Sequence, residues 1–169
     1  MSREFAPGPL LAVLLRHRVR FVLIGGLAAL AHGSPFPTED VDISPEASAG
    51  NLARLSAALT ELEGRVRTEG VEGGLPFAHA AASLAAASVW NLETAYGDLD
   101  ISLIPSGTSG FGDLVRDATD TEAFGLVIAI ASLADVVRSK QAANRPKDQR
   151  VLPVLREILA SRFGDPTRT

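Results

Sequence analysis

The chain has 169 residues, of which 46% are hydrophobic and 21% are charged, and this composition is typical of one globular domain with a core of its own. It excludes a disordered or collagen-like chain. Cysteine is absent, which rules out disulfides, thiolate zinc sites, iron–sulfur clusters and cysteine nucleophiles. The net charge of −4 excludes a globally positive protein that coats nucleic acid, although a local basic patch remains open.

The N-terminal part of the sequence predicts a cytoplasmic protein with no membrane contact. The apolar run at residues 21–31 is half the ~20 residues that a membrane span requires, and Gly25 and Gly26 interrupt it. Glu4 and Pro7 lie where a signal peptide needs a continuous apolar stretch.

The whole chain is expected to form a single domain over residues 1–169, with a core at about 19–160 and ragged ends at 1–7 and 164–169. Its hydrophobic pattern predicts, in chain order, a helix before Arg16, a buried strand at 21–24, a helix at 27–31, a strand at 40–43, a helix at 51–62, a mobile loop at 70–74, a helix at 76–87, strands at 89–95 and 99–104, a helix at 111–118, an extended segment at 123–129, and helices at 132–143 and 146–162. These elements indicate an α/β (α+β) domain in which helices flank a mixed β-sheet.

Two aspartates on one predicted strand are the first candidate site residues. Asp40 and Asp42 alternate with apolar residues, so their side chains point to one side of the strand. Two or three converging carboxylates can hold one or two Mg²⁺ ions that bridge phosphate oxygens. The alternative interpretation is a solvent-facing edge strand with two ordinary surface aspartates.

A second acidic and apolar alternation occurs at Asp98-Leu99-Asp100-Ile101. One of its carboxylates could join Asp40 and Asp42 if the two strands are neighbours. Asp98 follows a glycine and can also be interpreted as a turn residue. Asp100, which lies between two apolar residues, is therefore the better candidate metal ligand.

The two lysines of the chain, Lys140 and Lys147, both lie in the short segment 138–148, although the chain has sixteen basic residues. This concentration favours a site, because a lysine can bind a triphosphate as a compact cation. The alternative is a solvated helix end at which Asp148 offsets the helix dipole.

Three motifs in this order resemble a known family. They are Gly25-Gly26, followed after thirteen residues by Asp40-Val41-Asp42-Ile43, then Gly97-Asp98-Leu99-Asp100-Ile101, then the segment 139–148 that begins Ser139-Lys140 and contains Arg145-Pro146-Lys147-Asp148. The set is similar to the minimal nucleotidyltransferases of the DNA-polymerase-β-like superfamily. Within it, the chain most resembles the small domains related to abortive-infection (AbiEii-type) nucleotidyltransferase toxins.

The resemblance implies a nucleotidyltransferase-like mixed sheet, a nucleoside triphosphate and Mg²⁺ in a two-metal site. It implies catalytic and metal-binding roles for Asp40, Asp42 and Asp100. It implies nucleotide-binding roles for Gly25, Gly26, Thr38, Lys140, Arg145, Lys147 and Asp148. Relatives commonly carry a basic residue just before the aspartates, whereas Phe36 stands in that segment here.

The expected reaction is transfer of a nucleoside monophosphate to a hydroxyl group with release of pyrophosphate. The acceptor implied by the resemblance is a tRNA 3′ end, a protein side chain or a small molecule, and a toxin role with an antitoxin partner is one possibility. The alternative is a catalytically inert nucleotide-binding or interaction module. Retention of Asp40, Asp42 and Asp100 argues against it, since a site without chemistry has no physical need for all three.

Overall fold

A computed structural model describes residues 3–163 of the chain, which form one eight-stranded mixed sheet flanked by helices, as the sequence predicts. The strands are β1 Phe21–Ile24, β2 Asp40–Pro45, β3 Arg65–Thr68, β4 Val71–Leu75, β5 Val89–Thr94, β6 Gly97–Ser102, β7 Thr119–Ala123 and β8 Leu126–Ile130. The helices are α1 Pro7–Arg16, α2 Gly25–Ala31, α3 Ala49–Glu61, α4 Ala81–Ala85, α5 Phe111–Leu114, α6 Leu133–Ala143 and α7 Pro146–Phe163. None of the helices in this range is long and apolar enough to cross a membrane.

The strand order β4-β3-β5-β6-β2-β1-β8-β7 brings together elements that are distant in the sequence. β2 and β6 are parallel neighbours, and Cα pairing matches Asp40 with Asp98 and Asp42 with Asp100. β1 pairs antiparallel with β2, so the end of β1 at Ile24 lies beside Asp42. Residues paired across a sheet share a face, and the two acidic alternations therefore lie on the same face.

The apolar residues of β2 and β6 alternate with these aspartates and face the core. Val41, Ile43 and Leu99 are completely buried, in one cluster with Leu52 and Leu55 of α3. Burial of such side chains stabilises the fold by about 1.5–3 kcal/mol each. A one-residue shift of register would expose this set, so the packing of the core fixes which face carries the acids.

The two helices at the C-terminal end begin and end at residues that suit those positions. Ser132 caps α6 and its Oγ accepts a hydrogen bond from the backbone N–H of Asp135, as predicted. Asn144 ends α6 in the left-handed conformation with φ of 50°, and Pro146 then begins α7. This sharp connection places the first turn of α7 next to the last turn of α6.

The prediction of a mobile loop at 70–74 is wrong, because these residues belong to the β3–β4 hairpin. The Arg65 guanidinium donates from Nε to the carbonyl oxygen of Gly73 at 2.9 Å and from Nη2 to that of Gly74 at 3.2 Å. Gly70 lies between the strands with φ of 76°, a conformation that glycine adopts without strain. The glycines that suggested mobility thus form the turn of a strand pair.

The segment predicted as one extended stretch at 123–129 is also a hairpin. β7 ends at Ala123, β8 begins at Leu126, and Phe124 and Gly125 form the turn with φ of 56° and 72°. Positive φ at both turn residues matches the twist of a two-residue hairpin. A phenylalanine at the first of these positions is unusual, and the sequence therefore lacked the usual Asn-Gly signal.

Three further expectations need correction. The helices predicted at 76–87 and 111–118 are confined to α4 and α5. Before α4, the Phe77 ring packs 5.3 Å from the Trp90 ring, which holds that part of the chain outside the helix. Within the predicted ragged end, Ala6 donates its N–H to the carbonyl of Tyr96 at 2.9 Å and Phe5 packs against the core, while residues 1–2 and 164–169 lie outside the described residues.

Candidate functional site

Three aspartates from two strands converge on one open face of the sheet. Asp40 and Asp42 of β2 and Asp100 of β6 each offer a carboxylate oxygen, and these oxygens all lie within 4.8 Å of one another. The convergence follows from the parallel pairing of the strands, and it confirms the predicted geometry. Asp98 lies nearer the rim, with a side chain 40% exposed against 20% for Asp100, as expected.

Gly25 and Gly26 approach this cluster so closely that no side chain fits at either position. A Cβ on Gly25, whose φ is 69°, would overlap the carboxylate of Asp42. A Cβ on Gly26 would lie 2.7 Å from Oγ1 of Thr38. The Thr38 hydroxyl in turn donates to Oδ1 of Asp40 at 3.0 Å. The two glycines therefore leave backbone, and no side chain, against the acids.

The electrostatics of the cluster are those of crowded, partly buried carboxylates. Burial raises the pKa of Asp42 to about 7, and the negative charges of Asp40 and Asp100 add to the rise, while Lys147 and Lys140 oppose it. Burial also raises the pKa of Asp100, against the opposing effect of the Arg67 guanidinium. Such a cluster is costly without a cation or a proton between the carboxylates.

The donor set fits a hard divalent cation such as Mg²⁺. All three groups are carboxylates, and carboxylate oxygens are the side-chain ligands that Mg²⁺ prefers. Because position 25 is a glycine, no side chain from this position crowds the carboxylate of Asp42. Asp40, Asp42 and Asp100 are the residues that could hold the ion.

Arg67 is a site residue that the sequence analysis missed. Its Nη1 lies 2.9 Å from Oδ2 of Asp98 and its Nη2 lies 2.8 Å from Oδ1 of Asp100. The single positive charge of the guanidinium offsets part of the negative charge of the two acids of β6, whereas Asp40 and Asp42 have no such close partner among the ion pairs of residues 3–163. The alternation Arg65-Val66-Arg67 between two glycines is a weak strand signal that could have pointed to it.

The α6–α7 connection supplies the cations of the site. Lys140 is 15% exposed, and its Nζ lies 3.6 Å from Oδ1 of Asp148. Arg145 donates its Nε to Oδ2 of Asp148 at 2.8 Å and its backbone N–H to the same oxygen at 3.1 Å. Asp148 is completely buried, and hydrogen bonds with Arg145 lower its pKa against the rise that burial alone would cause. Asp148 therefore positions Lys140 and Arg145.

These groups border one cleft of about 480 Å³, a size typical of small-molecule sites. Every residue predicted for the site lines this cleft except Asp148, which stands behind it: Gly25, Gly26, Thr38, Asp40, Asp42, Asp100, Lys140, Arg145 and Lys147. The sequence analysis did not predict Asn91, Asp135 and Ser139, which also line the cleft. Phe36 is a lining residue too and is 38% exposed.

The arrangement can bind a metal–phosphate group by two kinds of contact. The carboxylates of β2 and β6 attract cations. Lys140 of α6, Lys147 of α7 and Arg145 between these helices line the same cleft. Positive and negative groups lining one cleft are what a polyphosphate chelating a divalent cation requires.

Comparisons with known proteins give matches among solved structures. No known protein-family profile matches the chain, and no curated protein matches it in sequence. The lincosamide antibiotic adenylyltransferase LnuA, solved with lincomycin bound, superposes with a TM-score of 0.61 at 15% identity, over 93% of this chain and 99% of that chain. The antibiotic-resistance factor ANT(2'')-Ia in solution gives a TM-score of 0.51 at 16% identity, over 91% of this chain and 89% of that chain.

A crystal structure of ANT(2'')-Ia in complex with adenylyl-2''-tobramycin gives a similar result, with a TM-score of 0.50 at 16% identity, over 92% of this chain and 95% of that chain. At such low identity these likenesses establish architecture, and they extend over nearly the full length of each partner. The chain therefore has the mixed-sheet fold of these nucleotidyltransferases, as the resemblance in its sequence implied.

Proposed function

We propose that the protein is a Mg²⁺-dependent nucleotidyltransferase that transfers a nucleoside monophosphate from a nucleoside triphosphate to a hydroxyl acceptor. The observation that carries this proposal is the convergence of Asp40, Asp42 and Asp100 beside Gly25 and Gly26. The shared fold with LnuA and ANT(2'')-Ia supports it.

The chain's own residues have distinct tasks in this reaction. Gly25 and Gly26 admit the phosphates close to the backbone, and Thr38 orients Asp40 through its hydrogen bond. Lys140, held by Asp148, and Lys147 offset the charge of the triphosphate.

Mg²⁺ held by Asp40, Asp42 and Asp100 supplies charge neutralisation at the reacting phosphate when it is bound. The acceptor oxygen forms a bond to the α-phosphorus, and the bond from that phosphorus to the oxygen bridging to the β-phosphate breaks. The hydroxyl proton is released to solvent, and pyrophosphate leaves. Positioning of the two reactants and electrostatic stabilisation carry the catalysis, with no covalent enzyme intermediate.

A small molecule is the acceptor that these features favour. The cleft has the volume of a small-molecule site, and the net charge of −4 gives no general attraction for RNA. LnuA and ANT(2'')-Ia, which share the fold, were solved with lincomycin and with adenylylated tobramycin, which are small molecules. The reaction suits the predicted cytoplasmic location, since nucleoside triphosphates are abundant there.

The test is incubation with Mg²⁺ and each nucleoside triphosphate, labelled at the α- or the γ-phosphate, with three acceptor sets. These are hydroxylated small molecules including aminoglycosides and lincosamides, total tRNA, and cell protein. We expect α-label to join a small molecule, γ-label to leave as pyrophosphate, and Asp42→Asn to abolish both. Label in tRNA or protein would favour the toxin role with an antitoxin partner. No transfer to any set would favour the inert module.

A further inference from the structure

Phe36 presents an aromatic ring to the cleft from a stiff segment of the chain. It lies between α2 and β2, is 38% exposed, and is one of the residues that line the cleft. Pro35 and Pro37 restrict the backbone on either side, and the N–H of Phe36 donates to Oγ of Ser34 at 3.3 Å. The ring is therefore held at the wall of the cleft that the candidate phosphate-binding residues also line, and aromatic side chains are common in the lining of ligand sites.

A second element brings apolar surface to the same cleft. Val151 of α7 is a lining residue, and Arg162 near the end of α7 anchors the helix to the segment that precedes Phe36. Its Nη2 donates to the carbonyl of His32 at 2.7 Å, and its Nη1 lies 2.9 Å from Nδ1 of the same residue. These hydrogen bonds fix the C-terminal end of α7 to the segment that precedes Phe36.

Phe36 is close along the chain to the proposed phosphate site. It is two residues before Thr38, which touches Gly26, so it is within about 7 Å of chain length from the proposed phosphate site. A ribose separates the base of a nucleoside triphosphate from its phosphates, so the base lies away from the acids. Among the described residues that line the cleft, Phe36 is the aromatic one.

We infer that Phe36 is a stacking surface for the base of the nucleoside triphosphate, an inference that rests on the proposed function. A phenyl ring gives no charge to a phosphate, but every nucleobase has a π-face that an aromatic side chain can cover. Phe36 then contributes affinity for the base, while Lys140 and Lys147 contribute affinity for the phosphates.

Calorimetric titration can separate these two contributions. The wild-type protein, Phe36→Ala, Phe36→Trp and the control Phe124→Ala are titrated in Mg²⁺ with inorganic tripolyphosphate and with non-hydrolysable α,β-methylene analogues of the four common triphosphates. Phe124 is a suitable control because it is 53% exposed on the β7–β8 turn and is not among the residues that line the cleft.

The expected result is a selective loss. Phe36→Ala weakens binding of the preferred nucleotide by about fivefold to a hundredfold, the range for loss of one base–aromatic stack, and leaves tripolyphosphate binding unchanged. Phe36→Trp restores nucleotide binding, and Phe124→Ala changes neither ligand.

Other outcomes overturn the inference in ways that remain distinguishable. Equal nucleotide affinity of the wild type and Phe36→Ala, or equal weakening of nucleotide and tripolyphosphate, overturns the stacking role alone. Unchanged nucleotide affinity with a raised KM for the acceptor assigns the ring to the acceptor instead. Failure of the wild type to bind either ligand contradicts the proposed function as well.

Discussion

The neighbouring strands β2 and β6 carry the same pattern of acidic and apolar residues but differ in how their charges are balanced. On β6, Arg67 lies 2.9 Å and 2.8 Å from the carboxylates of Asp98 and Asp100. On β2, Asp42 has glycine backbone beside it, and burial with its acidic neighbours raises its pKa to about 7. Arg67 thus offsets part of the charge of β6 within the protein, whereas the acids of β2 have no such arginine and are left for a cation or a proton.

Removal of the charge of Asp42 is expected to have the largest effect on the site. Asp42→Asn keeps the shape of the side chain and removes one metal ligand, so the fold is retained. We expect turnover and Mn²⁺ affinity to fall by more than about a hundredfold, because loss of an outer partner of a metal ligand already costs about 10–100-fold. Turnover and calorimetric titration with Mn²⁺ measure the effect, and unchanged values in the folded variant would refute the assignment.

The next largest effect is expected at the cation that faces β2. Lys140→Ala removes the largely buried side chain whose ammonium is held by Asp148, so nucleotide affinity or turnover should fall by about tenfold or more, the ~1.5–3 kcal/mol of a hydrogen bond to a charged group. Lys147→Ala is the matched comparison, and we expect a smaller effect because Lys147 is exposed and its contacts are weakened by solvent. Equal nucleotide binding by wild type and Lys140→Ala would show that this lysine does not bind phosphate.

Removal of Arg67 should raise the affinity of the site for a metal ion, whereas removal of Asp42 lowers it. The guanidinium competes with a metal ion for Asp100, so Arg67→Ala should tighten Mn²⁺ binding by about threefold to fivefold, as expected for a partly exposed ion pair. Asp98→Asn should weaken it by about twofold, since Arg67 is then held by Asp100 alone.

Arg16→Ala is the matched control, because Arg16 pairs with Glu61 and lies outside the cleft. Electron paramagnetic resonance of free Mn²⁺ gives the affinities directly. Weaker binding by Arg67→Ala would mean that the arginine supports Asp100 as a ligand and does not compete with the ion.

The smallest expected effect is on stability as a function of pH. The pKa of Asp42 is raised above its unfolded value, so its proton stabilises the metal-free protein at low pH, and this contribution is lost as pH rises from about 4 through 7. Asp42→Asn imitates the protonated side chain at every pH. In chelator, we expect the variant to melt roughly 3 °C or more above the wild type near pH 8.5, and we expect this difference to be clearly smaller near pH 5.5.

Asp120→Asn on the exposed edge strand β7 serves as the control, with no such dependence on pH expected. Addition of Mn²⁺ should reverse the order at pH 8.5, because only the wild type retains the full ligand set. A constant difference between Asp42→Asn and the wild type at both pH values would contradict the raised pKa.

Local patterns allowed the acidic strands to be predicted from the sequence. Alternation alone put Asp40 and Asp42 on one side of β2, and the Ser132 cap marked the start of α6. Both signals involve residues within four positions of one another, and the conformational preferences of individual residues act over this range.

The pairing of β2 with β6 could not be predicted in the same way. Asp42 and Asp100 are 58 positions apart, and their Cα pairing depends on the order of strands in the sheet. Arg67 was missed because β3 has only four residues and precedes a glycine-rich turn, which suggested a loop. The sequence shows that Arg145 and Asp148 are three positions apart. The complete burial of Asp148 depends on packing between α6 and α7, which the sequence does not show.

In the proposed site, Asp40, Asp42 and Asp100 together hold a divalent cation against a triphosphate. Anomalous diffraction at the manganese edge, from crystals grown with Mn²⁺ and a non-hydrolysable nucleoside triphosphate, locates that cation. We expect a manganese peak within bonding distance of all three carboxylates, with the phosphates against Gly25 and Gly26. A bound triphosphate with manganese away from these carboxylates, or Asp100 still paired with Arg67 beside an occupied nucleotide site, would contradict it.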